Sequence, residues 1–97
     1  MKGCVLRGKL LSLLKNIYPD GIEQTSVVGI YYQLTKVDDI LTALEYLTDK
    51  KYIIKKENPH PFKNNTIVTY YKISPTGIDL CEGNIEKDPG IVLQIEG

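Results

Sequence analysis

The feature that most constrains the fold is a helix followed at once by a lysine-rich hairpin, at residues 44 to 74 (LEYLTDKKYIIKKENPHPFKNNTIVTYYKIS). Residues 52 to 57 and 66 to 73 are rich in strand-forming side chains and alternate apolar with polar or basic positions, as half-buried strands do. The intervening NPHPFKNN contains two prolines and two successive asparagines, which suit an exposed connection longer than a tight turn. A two-stranded hairpin cannot bury its apolar face alone, so we expect it to pack against helices.

Three helices are predicted before the hairpin. Residues 2 to 17 carry apolar side chains at helical spacing and are followed by the turn sequence YPDG. A short helix at about residues 23 to 32 is favoured over a strand, because a strand there would lack an obvious neighbour in sequence. Residues 35 to 50 give the clearest helix, with Thr35 as the N-cap and Asp38 completing a weak capping box. Its predicted buried face comprises Val37, Ile40, Leu41, Leu44 and Leu47, and its outward face Asp39, Thr42 and Tyr46, flanked by Ala43, Asp49 and Lys50.

After the hairpin, Ser74 and Pro75 form a typical helix start, and that last helix is expected to end near Gly83. The 97 residues favour one domain, which we place at residues 1 to 83, followed by an acidic C-terminal segment at 84 to 97. Charged residues interrupt every apolar run before it reaches membrane-spanning length, and the N-terminus has no signal-peptide pattern. We therefore expect a cytoplasmic protein without membrane contact.

Few residues in the chain are suited to catalysis or metal binding. Two cysteines, Cys4 and Cys81, without a histidine cluster cannot form a four-ligand zinc site; they are expected to be reduced thiols, with a bridge as the alternative. There is one histidine, no recognisable nucleophile and base arrangement, and no glycine-rich phosphate loop. The sequence predicts a protein that is not an enzyme and has no metal or cofactor.

Charge is neutral overall, with 12 basic and 12 acidic residues, but it is arranged in blocks. Residues 1 to 19 carry four cations and no acid, and residues 50 to 72 carry six lysines and one glutamate. The segments 20 to 49 and 73 to 97 are predominantly acidic. A basic face is expected if the fold brings the first and third blocks together.

The stretches LEYLTDKKYI (residues 44 to 53) and YYKISPTGIDL (residues 70 to 80) resemble winged helix-turn-helix proteins. The resemblance is to bacterial multiple-antibiotic-resistance-type and phenolic-acid-regulator-type repressors, and still more to short, often prophage-linked winged-helix proteins of unassigned role. It covers about residues 5 to 82 and implies an α+β fold with a three-helix core, a two-stranded wing hairpin and a C-terminal helix. The family commonly has glycine before the first aromatic of the wing; here Lys51 stands there, so either Lys51 adopts a less favourable backbone or the turn differs.

In that family the third helix usually lies in the major groove, and the wing touches phosphate or the minor groove. The resemblance therefore implies a small regulator or prophage accessory protein that binds double-stranded DNA, specifically or non-specifically. Wing lysines would contact phosphate, and the outward face of the third helix would read bases. A homodimer is expected, because two-fold operators mirror two-fold proteins and the cationic first block could pair with the anionic last block. The candidate DNA-binding residues are Lys36, Asp39, Thr42, Tyr46, Lys55, Lys56, His60, Lys63, Asn64 and Asn65.

A second interpretation stays open, since the third helix carries Asp38, Asp39, Glu45 and Asp49 and no arginine. Acids in the first turn are favoured by the helix dipole, but acids along the helix repel phosphate. Winged helices also serve as protein-interaction modules, and aromatic residues such as Tyr46 are enriched at interfaces. The alternative function is therefore docking of a protein partner without DNA binding.

Overall fold

The chain folds into four helices and a three-stranded sheet in the computed structural model, which describes residues 1 to 93. The order confirms the predicted α+β class, with each predicted helix and both wing strands present. The elements are α1 (Gly3–Ile17), β1 (Ile22–Glu23), α2 (Gln24–Tyr31), α3 (Val37–Asp49), β2 (Ile53–Pro59), β3 (Ile67–Ile73) and α4 (Pro75–Glu82).

The strand β1 was not predicted from the sequence. Its two residues pair antiparallel with β3, Ile22 opposite Tyr71 and Glu23 opposite Tyr70, so the sheet order is β1-β3-β2. A two-residue strand is too short to show alternation, and its partner lies far along the chain. The helix favoured for residues 23 to 32 is present as α2, and the short strand before it pairs with a segment that is distant in sequence.

The wing is the antiparallel hairpin β2–β3, in which Ile53 lies opposite Ile73 and Pro59 opposite Ile67. Side chains along a strand alternate between faces. The face bearing Ile53, Tyr71 and Ile73 is buried against the helices. Lys55 and Lys56 are neighbours in sequence and therefore project from opposite faces of the wing.

The core is formed by side chains from α1, α3 and the helix-facing side of the sheet. Two assignments on α3 were wrong: Val37 is 44% exposed and Ala43 only 4%. Val37 occupies the first helical position, at the free end of α3, whereas Ala43 lies on the side between Ile40 and Leu47. The buried apolar residues are Leu6, Leu10, Leu11, Leu14, Val27, Ile40, Ala43, Leu44, Leu47, Ile53, Tyr71, Ile73, Leu80 and Ile91.

The predicted capping box of α3 is absent. Lys36 is the N-cap, without a side-chain cap, and its carbonyl accepts from the backbone N–H groups of Asp39 and Ile40. Thr35 instead closes the turn after α2, where its N–H donates to the carbonyl of Tyr31. The helix starts one residue later than the capping pattern indicated, so the Thr35 hydroxyl is displaced from the capping position.

The end of α3 shows how Lys51 replaces glycine. Lys51 has φ of 66°, in the left-handed region, and its N–H donates to the carbonyl of Thr48. The next N–H, of Tyr52, donates back to the carbonyl of Leu47, which closes the helix with a left-handed cap. Of the two alternatives that the sequence left open, the less favourable backbone is the one adopted.

At α4 the predicted start and end are confirmed. The Ser74 hydroxyl accepts from the N–H of Gly77, Pro75 opens the helix, and Gly83 ends it with φ of 77°. The Ser74 hydroxyl also donates to the Lys51 carbonyl at 2.6 Å, which joins this helix start to the end of α3.

Residues 84 to 93, the described part of the predicted C-terminal segment, pack against α1. The N–H of Val92 donates to the carbonyl of Cys4 at 3.0 Å, and Ile91 joins the core. Gly8 permits this crossing because a Cβ there would collide with the Val92 carbonyl. The remaining predicted residues of this segment, 94 to 97, lie outside the described part.

Both cysteines are free thiols, half-buried in the fold. Burial raises the pKa of the Cys81 thiol. No helix within residues 1 to 93 is both long enough and apolar enough to cross a membrane.

Candidate nucleic-acid interface

The helix-turn-helix consists of α2, residues 32 to 36 and α3. Apolar and polar side chains of the connection are exposed, among them Tyr32 and Leu34, the latter 63% exposed. Lys36 is exposed at the start of α3, where groove contacts commonly fall in helix-turn-helix proteins. The predicted contact residues Asp39 and Thr42 follow on the same helix and are exposed.

The exposed surface of α3 is acidic. Thr42 lies on it together with the carboxylates of Asp38, Asp39, Glu45 and Asp49. Lys36, at the N-cap, supplies one positive charge at the beginning of this surface. A DNA phosphate approaching the middle of α3 would meet negative charge, which opposes binding.

Tyr46, also predicted as a contact, is half-buried by other parts of the chain. The Arg7 guanidinium lies over its ring at 4.1 Å from the centroid, and Lys50 Nζ lies at 5.8 Å. Arg7 Nε also donates to the carbonyl of Gly90 at 2.8 Å. Tyr46 thus connects α1, α3 and the C-terminal segment, a packing role that the helical pattern of α3 could not reveal.

A polar cluster at the root of the wing was also missed. The Tyr52 hydroxyl donates to Asp88 Oδ2 at 2.8 Å, and Lys50 Nζ lies 3.5 Å from the same oxygen. The N–H of Gly90 donates to Asp88 Oδ1. The Tyr52 hydrogen bond, with the smaller contributions of Gly90 and Lys50, holds the pKa of Asp88 below its usual value. Burial and the bond to Asp88 raise the pKa of Tyr52 to about 12.

The two lysines of β2 lie in different surroundings. Lys55, on the helix-facing side of the wing, has its Nζ 3.6 Å from Glu57 Oε1, and both side chains are about half exposed. Exposed pairs of this kind contribute roughly 0–1 kcal/mol and do not prevent exchange of partners. Lys56, on the opposite face, lies in a shallow groove that Asp20, Tyr70 and Lys72 also line, and it forms no ion pair within residues 1 to 93.

The wing tip is an ordered loop centred on His60. Its Nδ1 accepts from the backbone N–H groups of Phe62 and Lys63, at 3.0 and 3.2 Å. The backbone N–H of His60 donates to the carbonyl of Thr66 at 2.7 Å, which closes the loop. Asn65 adopts φ of 59°, a left-handed conformation that asparagine tolerates better than most residues. His60, predicted as a phosphate contact, is here the residue that shapes the loop.

The structure therefore divides the predicted contact residues into separate groups. Lys36, Asp39 and Thr42 share α3, while Lys55 and Lys56 point from opposite faces of β2. Tyr46 faces Arg7 and the C-terminal segment. The remaining four share the wing tip: His60, Lys63, Asn64 and Asn65.

Phe62 was not among the predicted residues, although its side chain is 91% exposed at the wing tip. The sequence did contain a signal for this exposure: Phe62 is a lone aromatic residue between Pro61 and Lys63, in a loop without apolar periodicity. Among residues 1 to 93, no three His, Cys, Asp or Glu side chains are grouped so as to hold a metal ion.

A helix-turn-helix followed by a β-hairpin packed on the same helices defines a winged helix-turn-helix domain. The chain is similar to the crystal structure of Bacillus subtilis PadR in complex with operator DNA, with a TM-score of 0.63 and 20% sequence identity. The match covers 96% of this chain and 53% of the PadR chain, so this chain spans about half the length of that protein. No protein-family model and no curated protein matches the sequence. At this identity, the similarity shows the fold.

Proposed function

We propose that this protein binds double-stranded DNA through its wing, as a small transcriptional regulator or prophage accessory protein without catalytic activity or cofactor. The observation that carries the proposal is the charge of the wing tip. Lys63 projects from an ordered loop, and the chain has no Asp or Glu from residue 58 to 78. The similar fold of Bacillus subtilis PadR, whose structure is a complex with operator DNA, supports the proposal.

In this proposal, Lys63 and Lys56 contact phosphate, and the amides of Asn64 and Asn65 donate to sugar or to groove edges. His60 positions the loop by accepting from its backbone N–H groups. Lys55 also contacts phosphate, once its ammonium group leaves Glu57. From α3, Lys36 and Thr42 contribute at the edge of the interface, while the neighbouring acids keep the middle of the helix away from phosphate.

We also infer a homodimer, on a different basis from the charge blocks. The first block and the described part of the last block pack together within one chain, where Arg7 Nε donates to the neutral carbonyl of Gly90, and no ion pair joins them among residues 1 to 93. An apolar groove along α1 remains open, lined in part by Val5, Leu13 and Leu34. Sedimentation analysis that finds only monomer well above micromolar concentration would contradict this inference.

One observation favours a second candidate function, docking of a protein partner. Next in sequence to the acids of α3, the end of α2, the connection and the start of α3 carry exposed apolar side chains: Ile30, Tyr32, Leu34 and Val37. An apolar patch rimmed by charge is typical of protein interfaces. A partner for it would be basic around an apolar centre.

Fluorescence anisotropy with a labelled random-sequence duplex at three salt concentrations separates the two functions. We expect micromolar binding that weakens steeply with salt, since even non-specific binding is largely electrostatic. The double variant Lys56→Ala, Lys63→Ala should lower the salt slope by about two units. The matched control Lys2→Ala, Lys15→Ala removes the same charge from the N-cap and the last turn of α1, outside the wing, and should keep the slope. Absence of binding at low salt would overturn the DNA proposal and favour the protein partner.

A further inference from the structure

We propose that Phe62 is a wedge that inserts between base pairs from the minor groove, so that the wing selects DNA by its deformability. This inference rests on the proposed function, because it requires that the wing contacts duplex DNA. It adds a residue that determines specificity without hydrogen bonds to bases. Three features of the wing support it: the exposure of Phe62, the order of the loop and the charge around it.

The exposure of Phe62 is unusual for so large an apolar side chain. Its ring is 91% exposed and meets only the edge of the His60 ring, with the centroids 6.2 Å apart. Full burial of a phenylalanine is favourable, yet no core residue of the described chain covers this one. A ligand that supplies an apolar surface would recover that free energy.

Hydrogen bonds in the loop hold the backbone at Phe62, and the side chain points outward from it. His60 Nδ1 accepts from the N–H groups of Phe62 itself and of Lys63, so the backbone on both sides of the ring's attachment is hydrogen-bonded. Pro59 and Pro61 restrict the backbone that leads to Phe62, because the proline ring fixes φ. The backbone N–H of His60 donates to the carbonyl of Thr66, and this hydrogen bond closes the loop at its base. A loop whose backbone is held in this way loses little backbone entropy when its tip binds.

The charge around Phe62 matches DNA. Lys63 is the next residue, Asn64 and Asn65 follow, and Glu57 is the nearest acid before the loop in sequence. Proteins that insert apolar wedges into the minor groove combine them with lysine, arginine, asparagine or glutamine contacts at its edges. The wing tip has this combination, with the wedge, one cation and two amides on successive residues.

The acidic surface of α3 gives an independent reason to look to the wing for specificity. Asp38, Glu45 and Asp49 oppose deep insertion of α3 beside phosphates. A wedge selects DNA without insertion of α3, because it favours base steps that unstack easily. Pyrimidine–purine steps such as TA and CA unstack more easily than others. The expected preference is therefore for duplexes with a flexible central step, and for duplexes already unstacked by a mismatch.

The chain contains no tryptophan, so Phe62→Trp places a single tryptophan at the wing tip, which can be excited selectively over the tyrosines. Its emission should be quenched when a duplex is added, because the indole stacks on a base pair. Ile85→Trp, at an exposed position in the C-terminal segment, is the matched control and should show no quenching. Phe62→Trp should also bind as tightly as the natural protein.

Phe62→Ala separates the wedge from the electrostatic contacts. With a duplex that has a central TA step, we expect binding about tenfold weaker, at the low end of what loss of a base-stacking aromatic causes. The salt slope should be unchanged, whereas Lys63→Ala should lower it by about one unit. End-labelled duplexes should show, by energy transfer, a bend with the natural protein that Phe62→Ala abolishes. The preference for a TA step over an unbroken A-tract should disappear in the same variant.

These measurements distinguish the wedge from DNA binding itself. One outcome is that the natural protein binds duplex DNA with a steep salt dependence while Phe62→Ala keeps the same affinity, the same bend of the duplex and the same step preference. In that case the wedge proposal is wrong and the proposed function stands. If no duplex binds at low salt, both are wrong, and quenching of Phe62→Trp would then be sought with a protein partner. Because Phe62 is exposed, its substitution should leave the circular dichroism spectrum unchanged, which checks that each variant is folded.

Discussion

Replacement of Lys51 by glycine should stabilise the protein. Lys51 has φ of 66° at the end of α3, and a left-handed backbone costs a residue with a Cβ roughly 1–2 kcal/mol. Glycine avoids that strain but loses more backbone entropy on folding, by roughly 0.5–1 kcal/mol. At the centres of these two ranges, the net gain in the free energy of unfolding is about 0.5–1 kcal/mol.

The structure indicates that little else is lost in Lys51→Gly. The contacts that it gives Lys51 are made by the backbone: its N–H donates to Thr48, and its carbonyl accepts from the Ser74 hydroxyl. Glycine retains both groups. The side chain is exposed and forms no ion pair among residues 1 to 93.

Thermal and urea unfolding followed by circular dichroism would measure the effect. For a domain of this size, the expected gain raises Tm by about 2–8 °C, with an unchanged dependence on urea concentration. Lys51→Ala removes the charge but keeps the Cβ, so it separates backbone strain from lysine–lysine repulsion. Gly83→Ala at the end of α4, where φ is 77°, should lower stability by about 1 kcal/mol.

Two results would refute this reasoning. If Lys51→Ala stabilises as much as Lys51→Gly, charge and not backbone strain is the cause. If Lys51→Gly is neutral or destabilising while Gly83→Ala behaves as expected, the lysine stem contributes packing that offsets the strain.

Three further perturbations have definite expected outcomes. Tyr52→Phe should lower the free energy of unfolding at pH 7 by about 1.5–3 kcal/mol. Asp88 has a lowered pKa, so the stability it contributes is present above the usual carboxyl pKa and is lost as pH falls through the lowered one. The difference between the natural protein and Tyr52→Phe should therefore shrink in urea titrations carried out below about pH 4. Gly29→Ala should raise Tm, because α2 leaves open space there and alanine favours a helix by about 1 kcal/mol. Gly8→Ala should displace Val92, so hydrogen exchange at residues 91 to 93 should accelerate, and unchanged exchange would contradict that contact.

The sequence predicted those parts of the fold that depend on local patterns. The apolar spacing of α1 and α3 is long enough to define each helix to within about two residues, and Ser74 with Pro75 located the start of α4. The strand β1 and the packed segment at residues 84 to 93 depend on partners distant in sequence. A local pattern does not contain that information.

The candidate interface was predictable to a similar extent. Exposure of Lys36, Thr42 and Lys63 followed from helical spacing and from loop composition. The contacts of Tyr46 with Arg7 and of Tyr52 with Asp88 could not be predicted, because Arg7 and Asp88 lie near opposite ends of the chain. The exposed position of Phe62 also required the structure, since in sequence an aromatic residue is more often buried than solvent-exposed.

The hydrogen bonds of His60 give the wing loop its own spectroscopic reporter. Because Nδ1 accepts from two backbone N–H groups, a neutral ring in this loop carries its proton on Nε2. The chain contains one histidine, so the ring resonances form a single set that needs no assignment by mutagenesis. The chemical shift of Nδ1 in NMR spectra therefore reports whether these two hydrogen bonds are intact, and so whether the loop is closed, as duplex, partner or denaturant is added.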